Sequence, residues 1–140
     1  MSPPCARSTV LLPHEVTTVS VSRRSLAREL QDCGVDRPVV DDALIVLSEL
    51  VSNAVRHADP LGTGQIQVGW EIGAQTVEIA VTDGGSASDP VADTAAMTAV
   101  GGRGLDIVRR LSVDWGVRAE GGQVTVWAAV PAPSQAADAR

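Results

Sequence analysis

Apolar residues between Val40 and Ala58 recur at helical spacing. Val40, Ala43, Leu47, Leu50, Val51, Ala54 and Ala58 form one continuous stripe, as expected of a helix that lays one face on a core. Pro38 suits a first turn, Asp41 and Asp42 favour its positive end, and Asp59-Pro60-Leu61-Gly62 stops it, so the spacing predicts a helix from about Pro38 to Ala58. An earlier helix is predicted from about Val16 to Cys33. Val19, Ser22 or Arg23, Leu26 and Leu30 share its stripe, and Gly34 stands at its C-terminal cap. A short third helix is predicted from Gly102 to Ser112, with Leu105, Val108 and Leu111 inward and Arg109 and Arg110 near its negative end.

Elsewhere the period drops to two. Ile66, Val68, Trp70 and Ile72 alternate with polar or small residues, as do Val77, Ile79 and Val81. Gly73-Ala74-Gln75 joins these runs as a tight turn, so they read as a β-hairpin. A second hairpin pairs Val113–Arg118 with Val124–Val130 around Glu120-Gly121-Gly122-Gln123, and Thr9–Leu12 before Pro13 reads as a short edge strand. From Gly84 to Val100 there is no core pattern, a long stretch for a structureless loop. The order β-α-α-β-β-loop-α-β-β, with strands joined by hairpins, predicts an α+β two-layer sandwich: a mainly antiparallel, mixed sheet with helices on one face. A single domain over 1–140 is expected, ordered from about 8 to 130 between short tails.

Composition narrows the function. Hydrophobic residues make up 44% and charged residues 20%, as in ordinary globular proteins. A formal net charge of -6 opposes nucleic acid and anionic membrane as direct partners. All basic residues are Arg, so any phosphate site must rely on backbone amides, Arg or a metal rather than a lysine ammonium. The N-terminus lacks a basic segment followed by an apolar run, and Ala43–Leu47 is far too short to span a bilayer. A cytoplasmic location is therefore expected, with Cys5 and Cys33 as two reduced thiols.

Three groups of residues carry candidate chemistry. Glu49 and Asn53 stand one helical turn apart and point the same way. They read either as a solvated face or as a site. A side-chain amide oxygen suits Mg²⁺, and a carboxylate beside it can accept a proton. Asp83 has the inward parity of Val77, Ile79 and Val81, and is followed by Gly84-Gly85. It is either a capped turn or an acceptor at the floor of a cleft, where glycine lets a flat ligand approach the backbone. Gly101-Gly102-Arg103-Gly104-Leu105 opens a helix, and free amides there favour an anion. This is neither a P-loop nor a dinucleotide fingerprint, because no Gly-Lys-Ser/Thr ends it and no strand precedes it.

Taken in order, these groups resemble the Bergerat (GHKL) ATP-binding class. Glu49-Leu-Val-Ser-Asn53-Ala-Val-Arg56-His57-Ala58 is similar to its N box, Val81-Thr-Asp83-Gly-Gly85 to its first glycine box and Gly102-Arg103-Gly104-Leu105 to its second. The wording Glu-Leu-Val-Ser-Asn-Ala most resembles the anti-sigma-factor serine kinases and their actinobacterial relatives, from about Thr9 to Val130. The resemblance implies ATP and Mg²⁺ as cofactors, with Asn53 on the metal, Asp83 on the adenine amine and Gly85 near the ring. It implies that amides of Gly102, Gly104 and Leu105 hold phosphates, with Arg56, His57 and Arg103 as neighbours, and that Glu49 is the base. The first glycine box departs from the family pattern Asp-x-Gly-x-Gly at Ala87, where its last glycine is usual.

By the same resemblance the chain is a protein-serine kinase and anti-sigma factor that phosphorylates a small antagonist protein. Its partners are a sigma factor and that antagonist, and a homodimer is compatible with it. The competing reading is a non-catalytic, ATP-bound module that sequesters a sigma factor or another regulator. Glu49 favours the kinase, because a pure binder needs no base beside the metal ligand. A complete sensor kinase is not expected without a histidine-phosphorylation domain, nor a gyrase-like fragment without a transducer segment.

Overall fold

The computed structural model describes residues 3–85 and 102–133. Its elements are β1 (Ala6–Pro13), α1 (Thr17–Asp32), α2 (Arg37–His57), β2 (Gln65–Ile72), β3 (Thr76–Asp83), α3 (Gly102–Leu111), β4 (Asp114–Glu120) and β5 (Gln123–Pro131). Their order is the one the periodicity predicts. The five strands form one sheet in the order β1-β2-β3-β5-β4, and every pairing is antiparallel. The sheet is thus wholly antiparallel rather than mixed, because each connection among these strands is a hairpin or returns to pair antiparallel.

Alternation decides the two faces. Ile66, Val68, Ile72, Val77, Ile79, Val81 and Val130 point to one side and are buried against Leu26, Leu30, Val46, Leu47, Leu50 and Val51 of α1 and α2. Leu47 is fully buried, so truncating it to alanine would cost about 2–5 kcal/mol. Two buried positions on α1 are hydroxyls. Thr18 Oγ1 donates to the Pro13 carbonyl at 2.6 Å and Ser22 Oγ to the Thr18 carbonyl at 2.7 Å, which removes the penalty of burying them. Trp70 lies on the same inner face, and its Nε1–H donates to Glu29 Oε1 at 3.0 Å. Ser8 Oγ donates to the same carboxylate at 2.9 Å, so Glu29 clamps β1 and β2 under α1.

Helix α2 carries a proline in its first turn and ends in Arg56 and His57. Asp41 and Asp42 fall beyond that turn, and Asp36 takes the N-cap position. The expected help of Asp41 and Asp42 to the dipole is corrected accordingly, since that effect fades within one turn.

The two cysteines are not reduced thiols. Cys5 and Cys33 form a disulfide, with their Cα atoms 6.1 Å apart and a sequence separation of 28. Spacing in sequence does not show this pairing, which the fold brings about. The Cys5 amide pairs with the Ile72 carbonyl, which continues β1 beside β2 and carries Cys5 to the C-cap of α1.

Candidate functional site

Helix α2 leaves the core at Ala58 and turns through Asp59 and Pro60. There the backbone closes a small ring with the end of β3. The Gly84 N–H donates to the Asp59 carbonyl at 2.8 Å, and the Asp59 N–H donates to the Gly85 carbonyl at 2.7 Å. Neither glycine is replaceable without movement. A Cβ at Gly84 would run into the Pro60 carbonyl. Gly85 has φ +77°, and a Cβ there would stand 2.8 Å from the Gly122 carbonyl oxygen.

This ring sets α2 and β3 on either side of a slot of about 40 Å³, lined by Leu50, Asn53, Ala54, His57, Ala58, Val81, Asp83, Gly85, Val124 and Val126. That volume holds about one water. The described residues therefore supply a floor and walls rather than an enclosed chamber. Asp83 is 5% exposed, as its strand parity predicts, and its Oδ1 accepts the Gly85 N–H at 2.7 Å. Asn53 Nδ2 is buried and has no hydrogen-bond partner. Leaving a buried amide donor unmade costs about 1–3 kcal/mol, so a ligand oxygen that accepts from this N–H recovers that cost.

The structure brings Asn53, His57, Asp83 and Gly85 onto one slot. It does not bring Glu49 or Arg56 to that wall. Glu49 is half-buried one turn before Asn53, and Arg56 is exposed. Leu105 is 2% exposed on α3, which starts at Gly102 and packs on α2. The surroundings of Gly102, Arg103 and Gly104 and the stretch from 86 to 101, including Ala87 and most of the unpatterned loop, lie outside the described residues.

Sequence reasoning missed His14, whose Nε2–H donates to the carbonyls of Ala58 at 2.9 Å and Ala54 at 3.1 Å. It caps the end of the helix that bears Asn53. A lone histidine after a strand gives no periodic signal, so only the fold reveals it. Asp59 and Pro60 end α2 as the stop signal predicts, and the Asp59 carbonyl and amide also hold Gly84 and Gly85 just after β3.

The donor set fits a nucleotide-bound Mg²⁺ and not a metal held by protein alone. Among the described residues no group of three or more His, Cys, Asp or Glu side chains could hold a metal. Mg²⁺ commonly takes one or two protein ligands and completes its shell with phosphates and water, and one amide in a slot beside Asp83 is compatible with that. Among the described residues no helix is long and apolar enough to cross a membrane.

Comparison with known proteins gives the family and the fold. Residues 12–129 match the family described as histidine kinase-like ATPase domain. Serine-protein kinase RsbW of Listeria innocua serovar 6a is 30% identical over 118 residues, covering 76% of this chain and 75% of that protein. RsbW of Listeria monocytogenes serotype 4b matches with the same identity and coverage. Among solved structures, the RsbU and RsbW domains of a Mycobacterium tuberculosis protein superpose with a TM-score of 0.69 at 20% identity, over 92% of this chain. This chain spans 34% of that one. The SiaB–SiaC complex of Pseudomonas aeruginosa gives a TM-score of 0.62 at 9% identity, over 89% of both chains. At these identities the two structures speak for the α+β fold.

Proposed function

The chain belongs to the histidine kinase-like ATPase domain family, and from that premise we propose that it is an ATP-binding anti-sigma factor that phosphorylates a small antagonist protein on serine. One observation carries the reading: the buried, unpartnered Nδ2–H of Asn53, a donor open to a phosphate oxygen, and the buried carboxylate of Asp83 line the same slot. ATP enters with Mg²⁺, and the domain acts in the cytoplasm with a sigma factor and the antagonist as partners. The similarity to serine-protein kinases named RsbW supports this choice.

Each residue has a proposed part. Asp83 accepts from the exocyclic amine of adenine, and Gly85, without a Cβ, lets the ring approach the backbone. Asn53 holds the metal through its amide oxygen. His57 lines the phosphate end of the slot, with Arg56 and Arg103 contributing positive charge from the surface. The amides at the start of α3, from Gly102, Gly104 and Leu105, receive phosphate oxygens at the positive end of that helix. Bound Mg²⁺ supplies charge neutralisation on the phosphates, where positioning and electrostatics dominate phosphoryl transfer. Glu49, one turn before Asn53, accepts the proton of the attacking serine hydroxyl.

The experiment is a pair of titrations on one variant. Glu49→Ala keeps ATP affinity near wild type and lowers phosphate transfer to the antagonist by roughly 10²–10⁴-fold, the range for a general base. If transfer survives while binding falls, Glu49 supports the helix and is not the base. If the wild type transfers phosphate to no serine-bearing partner yet holds a sigma factor, the chain is a sequestering module.

A further inference from the structure

The Cys5–Cys33 bond closes a covalent ring made of β1, the turn at His14 and α1. The disulfide, the bond from Ser8 Oγ to Glu29 and the bond from Thr18 Oγ1 to the Pro13 carbonyl cross this ring in order. They lay β1 antiparallel to α1, with the disulfide at one end and His14 at the other. β1 is an edge strand that pairs with β2, and no residue of it is buried. A strand with so little buried surface opens readily, so the covalent tie at its start holds it in place. At its other end His14 donates to the carbonyls of Ala54 and Ala58. Those two residues line the slot with Asn53 and His57. One strand thus carries the disulfide at its start and the contact with the slot wall at its end. The bond is also within reach of solvent. Cys5 is exposed and Cys33 half-buried, and among the described residues both line a depression of about 290 Å³ together with Gly34, Val35, Ala74 and Pro133. Exposed disulfides are the labile and regulatory ones.

We propose that Cys5–Cys33 is a reversible redox site that sets the ATP affinity of the slot through β1 and His14. A low-molecular-weight thiol supplies the electrons. Its thiolate attacks Cys5 Sγ, forms a mixed disulfide there and expels the Cys33 thiolate, which takes a proton. A second thiolate attacks the small-molecule sulfur of that mixed disulfide. This releases the small disulfide and the Cys5 thiolate, which is protonated in turn. Two electrons pass from two thiols to the protein disulfide, and the reverse steps remake it. Reduction frees the start of β1 from α1, and His14 then spends part of its time off α2. The last turn of α2 loosens around Asn53 and His57, and ATP binds only the fraction of molecules with that turn in place. This inference rests on the ATP reading and on the cytoplasmic location proposed with it, where disulfides are usually transient and redox-sensing.

Calorimetry of Mg²⁺-ATP tests it on the oxidised full chain, on the same protein reduced with excess glutathione, and on Cys33→Ser, with far-UV circular dichroism as the check on folding. Reduction and Cys33→Ser each raise the Kd for ATP about tenfold, as expected when about one-tenth of the molecules keep the turn in place. His14→Ala raises it as well, and reduction of that variant adds nothing further, because the route runs through His14. Reciprocity requires Mg²⁺-ATP to shift the wild type's equilibrium with a glutathione buffer toward the disulfide by the same factor, about 30 mV for a two-electron couple. A bond that serves only global stability moves neither quantity in the folded protein. Equal ATP affinity in the oxidised and reduced wild type overturns the proposal and leaves the ATP reading standing. So does a bond that excess glutathione fails to reduce in the folded protein. ATP binding by neither form overturns the ATP reading and this coupling with it.

Discussion

The Asp59 N–H donates to the Gly85 carbonyl at 2.7 Å, and the Asp59 carbonyl accepts the Gly84 N–H at 2.8 Å. These two bonds fasten the end of α2 to the end of β3, and so fix Asn53 relative to Asp83. Gly84→Ala forces a Cβ into the Pro60 carbonyl. Crowding of this kind costs about 1–3 kcal/mol. Urea unfolding should show that loss, and ATP affinity should fall with it because the slot widens. Unchanged stability and affinity would mean that the ring does not position the site.

His14 bonds the carbonyls of Ala54 and Ala58, which the last turn of a helix leaves without internal partners. His14→Ala should lower stability by about 1 kcal/mol. His14→Gln, whose amide can still donate, should recover part of it. Equal unfolding midpoints for the wild type and His14→Ala would remove the capping role.

The Cys5–Cys33 bond closes a loop of 28 residues between the start of β1 and the end of α1. By loop-closure entropy it contributes roughly 3–4 kcal/mol. Excess dithiothreitol should therefore shift urea unfolding of the wild type to lower concentration, and the Cys33→Ser variant should match the reduced wild type. Two free thiols in protein purified without reductant, titrated under denaturing conditions, would contradict the bond.

Much of this was legible from residue patterns, for physical reasons that differ along the chain. The stripe from Val40 to Ala54 announced α2, because a helix half-buried on a sheet must repeat near 3.6. The inward parity of Asp83 followed from the period of two, and its 5% exposure agrees. Less visible was α1, where Thr18 and Ser22 fill buried positions. Their hydroxyls are satisfied by Pro13 and Thr18 carbonyls that only the folded chain supplies. The pairing of β5 with β3, the disulfide, and the bonds from His14 and Asp59 join residues far apart in sequence, so no local period encodes them. Glu49 and Asn53 shared a helix face on paper, yet Asn53 lines the slot and Glu49 does not. A one-turn spacing fixes direction but not depth.

The central claim is that Asp83 and Asn53 form an ATP site, and isothermal calorimetry of Mg²⁺-ATP against the wild type and Asp83→Asn tests it most directly. The substitution keeps size and shape and removes the carboxylate that lines the slot beside Gly85. Wild-type protein should bind ATP, and Asp83→Asn should weaken binding by about 1–3 kcal/mol, the range for spoiling a buried hydrogen bond to a charged group. Far-UV circular dichroism should show the variant folded. ATP bound equally well by both proteins, or by neither, would contradict the account.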